Sequence, residues 1–175
     1  WNKLMIKLLR RDNLDFNLEK ETGDSICDAV FADCIYESLD FQWTDKYWNM
    51  LKPNGIFFIM TDFHTVSEID VHMKEQLRAN RINKLVWRNE WGKPPSTKFH
   101  ECYDDILIYC KGTNWIFDSS KVQVPKATAG SKGLNPSGRT TKTATAWIDG
   151  ITLTTIAKER VKDEDEKLVR WQKPV

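Results

Sequence analysis

The sequence predicts an α/β fold, a doubly wound sheet with helices between its strands. Three observations carry this. Two short, near-continuous apolar runs, Cys27–Ala32 and Gly55–Met60, read as parallel strands covered on both faces. Between them, Trp43, Tyr47, Met50 and Leu51 fall at helical spacing, and the breaker-rich Lys52-Pro53-Asn54-Gly55 ends that helix at a turn. The alternation then repeats, as a βαβ arrangement requires.

The repeat is read from residue 66 onward. Val66, Ile69, Met73 and Leu77 form one apolar face of a helix over 66–79, and a strand over 83–87 follows. A polar, Pro-containing loop over 88–100 leads to a further strand at 103–110, closed by Lys111-Gly112. After Ser119 the composition shifts to Gly, Ser, Thr, Ala and Lys with little periodicity, which reads as a long loop or inserted module. No internal repeat is visible.

Composition narrows the classes. The chain has 175 residues, 41% apolar and 29% charged, which suits one domain with a real core. No apolar run approaches the roughly 18 residues of a membrane span. Residues 1–11 hold only short apolar runs between charges, so no secretion signal is expected, and the absent initiator Met points to a processed or incomplete piece. A cytoplasmic setting with reduced thiols follows as the expectation. Cys27, Cys34, Cys102 and Cys110 form no C-x-x-C pair and the three histidines do not join them, so no metal site is expected. His64 and His100 read as loop or core histidines.

Lys plus Arg total 26 against 25 for Asp plus Glu, so bulk charge does not attract nucleic acid. Local charge does. Residues 119–142 carry Lys121, Lys126, Lys132, Arg139 and Lys142 and no acid. Such a segment can track phosphates and order on binding, or be a solvated surface loop. The loop with Trp91, Lys93, Lys98 and Phe99 mixes rings and cations, which suits phosphate and base contacts as well as a plain connection.

Ligands of open α/β sheets bind beyond the carboxyl ends of strands, which gives weight to Asp33-Cys34-Ile35-Tyr36. A carboxylate accepts hydrogen bonds from an amine and a ring three residues on offers a stacking face. An Asp capping the next turn and a Tyr at the core edge explain the same spacing.

This segment, with Leu39-Asp40-Phe41 and Trp43, resembles the catalytic segment of S-adenosylmethionine-dependent DNA amino-methyltransferases, which carry Asp-Pro-Pro-Tyr there. Leu51-Lys52-Pro53-Asn54-Gly55-Ile56 is similar to the turn and strand after the catalytic helix. Leu85-Val86-Trp87-Arg88-Asn89 and His100-Glu101 with Asp105–Gly112 resemble later strands of the same family. Trp171-Gln172-Lys173-Pro174-Val175 and Arg11-Asp12-Asn13-Leu14 are similar to its cofactor-side segments. The matches keep the family's order, with the catalytic motif first and target recognition in the middle.

The resemblance implies a Rossmann-like doubly wound methyltransferase sheet. It also implies methyl transfer from S-adenosylmethionine to adenine N6 or cytosine N4 in DNA, with the target base flipped out. Asp33 and the Cys34 carbonyl would accept the amine's protons, and Tyr36 would stack on the base; Phe41 and Trp43 would line that pocket or pack the core. Asp12, Asp33, Gln172, Lys173 and Pro174 would contact the cofactor, and Lys93, Lys98 and the basic stretch would contact DNA. The implied division is a catalytic core over 1–118, target recognition over 119–158 and a return to the core over 159–175. The family's Phe-x-Gly-x-Gly loop is expected after Val175. The implied setting is phage or bacterial restriction-modification, with a dimer as one assembly.

Two departures shape the expectations. Cys34-Ile35 replaces Pro-Pro, and without proline's fixed φ the turn is expected to be looser or differently aimed. Gly130–Gly138 does not follow a strand and is no substitute for the cofactor loop. A catalytically inactive relative that binds nucleic acid or a partner is the alternative; methylation of another flat amine, as in RNA, is a third. Cys34 as a nucleophile is disfavoured, because no basic partner is adjacent to lower its pKa.

Overall fold

The computed structural model describes residues 15–23, 26–34, 39–88, 95–131 and 136–149. In chain order these form α1 (Leu18–Thr22), β1 (Cys27–Asp33), α2 (Gln42–Asn49), β2 (Leu51–Thr61), α3 (Val66–Glu75), β3 (Asn80–Arg88) and β4 (Tyr103–Cys110). A 3-10 turn (Ser119–Val122) and short strands β5 (Gln123–Pro125), β6 (Thr141–Thr143) and β7 (Trp147–Asp149) follow. The expected α/β class and the strand–helix alternation are borne out.

Five strands make one sheet in the order β1-β2-β4-β3-β7. β1 runs parallel to β2 and β3 parallel to β7, while β4 lies antiparallel between β2 and β3. The carboxyl ends of β1, β2 and β3 therefore share one edge with the start of β4. β5 and β6 pair separately as an antiparallel ribbon.

Period-2 burial shows where the core sits. Gly55, Phe57, Ile59 and Thr61 of β2 are buried, and Ile56, Phe58 and Met60 between them are half-buried. Phe57 and Ile59 pair with Tyr109 and Leu107 of β4, so these four side chains share one face. Trp48 of α2, and Ile69 and Met73 of α3, complete the core against that face. Full burial of each such side chain stabilises by about 1.5–3 kcal/mol.

The helices cover one side only, which corrects the expectation that β1 is covered on both faces. Ala29, Phe31 and Asp33 are exposed, Phe31 by 61%, because among the described residues no helix packs on that side of β1. The Phe31 ring lies 6.2 Å from the Phe58 ring on this open face. α2 and α3 are also shorter than their periodicity suggested. Leu51 already belongs to β2, and left-handed Arg78 (φ 50) turns the chain so that the Ala79 N–H meets the Met73 carbonyl at 2.9 Å.

The turn at Lys52–Gly55 forms inside β2 rather than before it. Pairing steps from Cys27–Leu51 to Ala29–Ile56, so two residues of β1 advance against five of β2 and the surplus bulges out. Asn54 sits at φ 63, a left-handed conformation that Asn tolerates. Its N–H donates to the Lys111 carbonyl at 2.8 Å, and its side-chain oxygen accepts from the Asn114 N–H at 3.1 Å. A Cβ on Gly112 would collide with that same oxygen. The Pro-Asn-Gly bulge and the Lys-Gly end of β4 are therefore two halves of one clasp.

Lys111 completes it. Its Nζ donates to the carbonyls of Trp48 (2.8 Å) and Leu51 (3.0 Å), with Asn49 at 3.4 Å. A cation at a helix carboxyl end meets unpaired carbonyls and the negative end of the dipole. Across the sheet, Asp70 of α3 accepts from Tyr109 Oη at 2.8 Å and from Lys74 and Arg81 at 2.7 Å each, riveting α3 to β4 and β3. Burial and then the Asp70 carboxylate hold the Tyr109 hydroxyl far above its ordinary pKa, so it stays a donor.

Lys111→Met keeps the aliphatic stem and removes the donor. It should lower unfolding stability by about 2 kcal/mol, read from the urea midpoint. A midpoint equal to that of the parent would remove the helix-capping role.

Candidate active site

β1 delivers Asp33 to the shared strand edge, where its Cα pairs with Met60 of β2. Asp33 is exposed at the sheet's rim. Cys34 follows, half-buried. Its N–H reaches the Met60 carbonyl at 3.1 Å and its Sγ reaches the same oxygen at 2.9 Å. Two donors of one residue thus converge on one acceptor. The main-chain bond extends the parallel ladder by one step, and the thiol bond holds the side chain against β2. Cys34 is thus tied to β2 at two atoms, and the turn after it, expected to be looser or differently aimed without proline, lies outside the described residues.

At the end of β2, Thr61 is 0% exposed, and four residues on Thr65 is 1% exposed. Their hydroxyl oxygens lie 2.6 Å apart. The Asp62 Oδ1 accepts from the Thr65 hydroxyl at 2.7 Å and from its N–H at 3.1 Å. Thr61 also pairs across the sheet with Asp105 of β4. Asp105 is buried, and its Oδ1 lies 3.0 Å from Lys84 Nζ, an ion pair without hydrogen-bond alignment. The carboxyl edge is therefore acidic outside, at Asp33, and polar but internally paired beneath, at Thr61, Asp62 and Thr65.

The Cys34 thiol sits above its ordinary pKa. Burial is the main cause; the Thr61 hydroxyl beside it pulls the other way, and the Asp33 and Asp62 charges add to the rise. A thiol kept protonated is a hydrogen-bond donor and a poor nucleophile, which agrees with the sequence reading of Cys34.

The remaining predicted residues separate. Ile35, Tyr36, Asp12, Gln172, Lys173, Pro174, Lys93 and Lys132 lie outside the described residues. Trp43 packs edge-on to the Phe57 ring at 6.1 Å, and Phe41 packs against the same core and against His72, 5.6 Å between rings. Both serve core packing. Lys98 is ion-paired with Glu101 at 2.9 Å. Lys121, Arg139 and Lys142 are exposed on or beside the β5–β6 ribbon, and Lys126 is half-buried there.

Sequence reasoning missed two features. Thr61, Asp62 and Thr65 carry no motif signal, because a buried threonine in a strand end looks like any β-branched residue. Trp115, Ile116 and Phe117 are exposed just before the ribbon, Ile116 by 97%; their apolar run within a polar stretch was the available signal. Among the described residues no group of three His, Cys, Asp or Glu side chains could hold a metal ion, and no helix is long and apolar enough to cross a membrane.

The family profile of DNA methylases, covering the N6 and N4 methyltransferases, matches residues 27–175. The chain belongs to the DNA methylase family. That match begins at the first residue of β1 and takes in Asp33 and Cys34. The type II methyltransferase M.HpaI of Haemophilus parainfluenzae is 23% identical over 127 residues, 70% of this chain and 40% of that protein. The crystal structure of M1.HpyAVI aligns with a TM-score of 0.60 at 15% identity, covering 85% of this chain and 68% of that one. Its complex, titled M1.HpyAVI-SAM, aligns with a TM-score of 0.53 at 19% identity, covering 65% and 59%. At these identities the structures support the fold of this DNA methylase chain, which spans well under half of M.HpaI.

Cys34 should alkylate with iodoacetamide only as the pH rises past that of an ordinary thiol near 9.0, because the reactive thiolate is disfavoured. Peptide mapping after a pH series reads this directly. Modification of Cys34 at neutral pH at the rate of a free thiol would contradict the buried, donor-only assignment.

Proposed function

We propose that this chain carries the amine-binding part of a DNA amino-methyltransferase, which moves a methyl group from S-adenosylmethionine to adenine N6 or cytosine N4. The observation that carries the reading is the pairing of an exposed Asp33 carboxylate with a next residue held by two hydrogen bonds, at a strand edge of a DNA methylase fold.

An exocyclic amine is a weak nucleophile because its lone pair is delocalised into the ring. It has two N–H groups, and the Asp33 carboxylate and the Cys34 carbonyl offer two acceptors on adjacent residues. Accepting both protons' hydrogen bonds favours the pyramidal amine and frees its lone pair for in-line attack. Such a step gains mainly from orientation and from acceptors fixed before reaction. Bound S-adenosylmethionine supplies the electrophilic methyl group. The donor set fits it in one described residue, Asp33, whose exposed negative charge suits a cationic ligand; the other residues expected to hold it fall outside the described segments.

The target base must leave the duplex to reach a strand-end carboxylate, and Tyr36 is the residue that would stack on it. DNA is held by phosphate contacts from the region 119–158, where Lys121, Arg139 and Lys142 project from the ribbon beside the exposed Trp115–Phe117 run. Lys98 adds less, since Glu101 already neutralises it.

Asp33→Ala should lower methyl transfer to DNA by on the order of a hundredfold or more. S-Adenosylmethionine affinity should stay within about threefold, since Asp33 acts mainly on the amine and is one of several residues expected to hold the cofactor. Undiminished incorporation of labelled methyl would refute the role of Asp33. Separately, replacing Lys121, Arg139 and Lys142 by Gln should flatten the slope of log K against log salt by up to about 0.9 for each phosphate no longer neutralised. An unchanged slope would place the DNA elsewhere.

A further inference from the structure

β1 and β2 are parallel neighbours whose ladder ends at Asp33 and Met60, so the residues that follow each strand leave from one rim. The loop after β2 is short, because β2 ends at Thr61 and α3 begins at Val66. At its tip stand Phe63 and His64, both exposed, Phe63 by 52%. Their rings meet edge-on, 5.3 Å apart at 72°. Among the described residues Phe63 takes no part in the core that Phe57, Trp43 and Phe41 share.

The flanks of that tip are fixed. Asp62 Oδ1 accepts from the Thr65 hydroxyl and N–H, and the Asp62 carbonyl accepts from the Val66 N–H at 3.1 Å. Thr65 is also held from below by its buried contact with Thr61. Asp62 and Thr65 thus bond to each other across the two rings, and a buried base carries an exposed tip. A phenyl ring has only two side-chain rotations, so on a pinned turn it offers contact area at little ordering cost. Neighbouring strands lie about 4.8 Å apart, less than the width of a base. A base held by its amine at Asp33 and lying toward β2 therefore covers this tip. We propose that Phe63 is a stacking residue for the target base, giving the extrahelical ring a face on the β2 side of the rim, with His64 backing the phenyl edge-on. Stacking accepts adenine and cytosine alike, so Phe63 holds the base while hydrogen bonds choose it. This rests on the reading that Asp33 receives the target amine.

The test uses Phe63→Leu, which keeps apolar bulk and removes the π face, with Phe63→Tyr as the conservative control. The chain has three histidines, and the imidazole proton signal lost in His64→Gln identifies His64 in the magnetic resonance spectrum. At fixed pH, deoxyadenosine or deoxycytidine at millimolar concentration should move that signal, because each brings a ring against Phe63 beside it. Deoxyribose 5-phosphate, which carries no base, should leave it in place. The movement should vanish in Phe63→Leu and persist in Phe63→Tyr. With genomic duplex DNA of mixed sequence, kcat/KM for DNA should fall about tenfold in Phe63→Leu, as loss of one base–aromatic stack gives. Phe63→Tyr should restore it, and KM for S-adenosylmethionine and the melting temperature should stay with the parent.

A His64 signal that ignores both nucleosides, or that moves as far in Phe63→Leu, would overturn the stacking role. So would an equal movement with deoxyribose 5-phosphate, since the contact would then be with sugar and phosphate. An unchanged kcat/KM for DNA in Phe63→Leu would do the same. The assignment of Asp33 fails on a different result, full activity of Asp33→Ala, and the nucleoside titration needs no methyl transfer.

Discussion

One carbonyl oxygen, that of Met60, organises the edge of this sheet. The parallel pairing of β1 with β2 brings Asp33 opposite Met60, and Cys34 then places two donors on the Met60 oxygen. Everything proposed for the chemistry depends on that register. A slip of one residue would exchange the faces of β1, sending Val30 and Ala32 away from the core and turning Asp33 inward. The core makes that slip costly, because Phe57 and Ile59 on β2 are sandwiched between the sheet and the helices α2 and α3.

The same molecule keeps its strongest polar interactions away from the reacting edge. Lys111 caps the end of α2, and Asp70 ties α3 to β3 and β4. Both lie toward the opposite end of the strands, among the carboxyl end of β4 and the start of β3. With those staples holding the frame, the edge can present Asp33 at an exposed position. Beneath it, the buried hydroxyls are satisfied by one another, so the edge is polar without unpaired groups at Thr61 or Thr65.

Legibility in the sequence followed locality. β4 was read at its observed bounds, because Ile106–Cys110 is a near-continuous apolar run and Lys111-Gly112 gives a clear stop. β1 was located but its covering was misjudged: the apolar run of Ala29, Val30 and Phe31 does not tell a strand buried on two faces from one buried on one. The Lys52–Gly55 turn signal was real, yet it marks a bulge within β2, which only pairing with β1 reveals. The antiparallel place of β4 between β2 and β3 has no local signature. At the site, Asp33 was legible from strand-end position, whereas the tie from Cys34 to Met60 spans 26 residues and the pairing of Thr61, Thr65 and Asp62 depends on burial. The replacement of proline by cysteine pointed to a weaker turn. Proline's fixed φ is encoded in one residue, while the ties at Cys34 depend on Met60, distant in sequence.

The central claim is transfer to an exocyclic amine, and the identity of the methylated base tests it most directly. Duplex DNA incubated with the chain and methyl-labelled S-adenosylmethionine would be digested to nucleosides and separated by mass. Label in N6-methyladenine or N4-methylcytosine alone is the expected result. Label in 5-methylcytosine would contradict the claim, because that product requires a nucleophilic thiol that Cys34 does not provide, and so would DNA that carries no label.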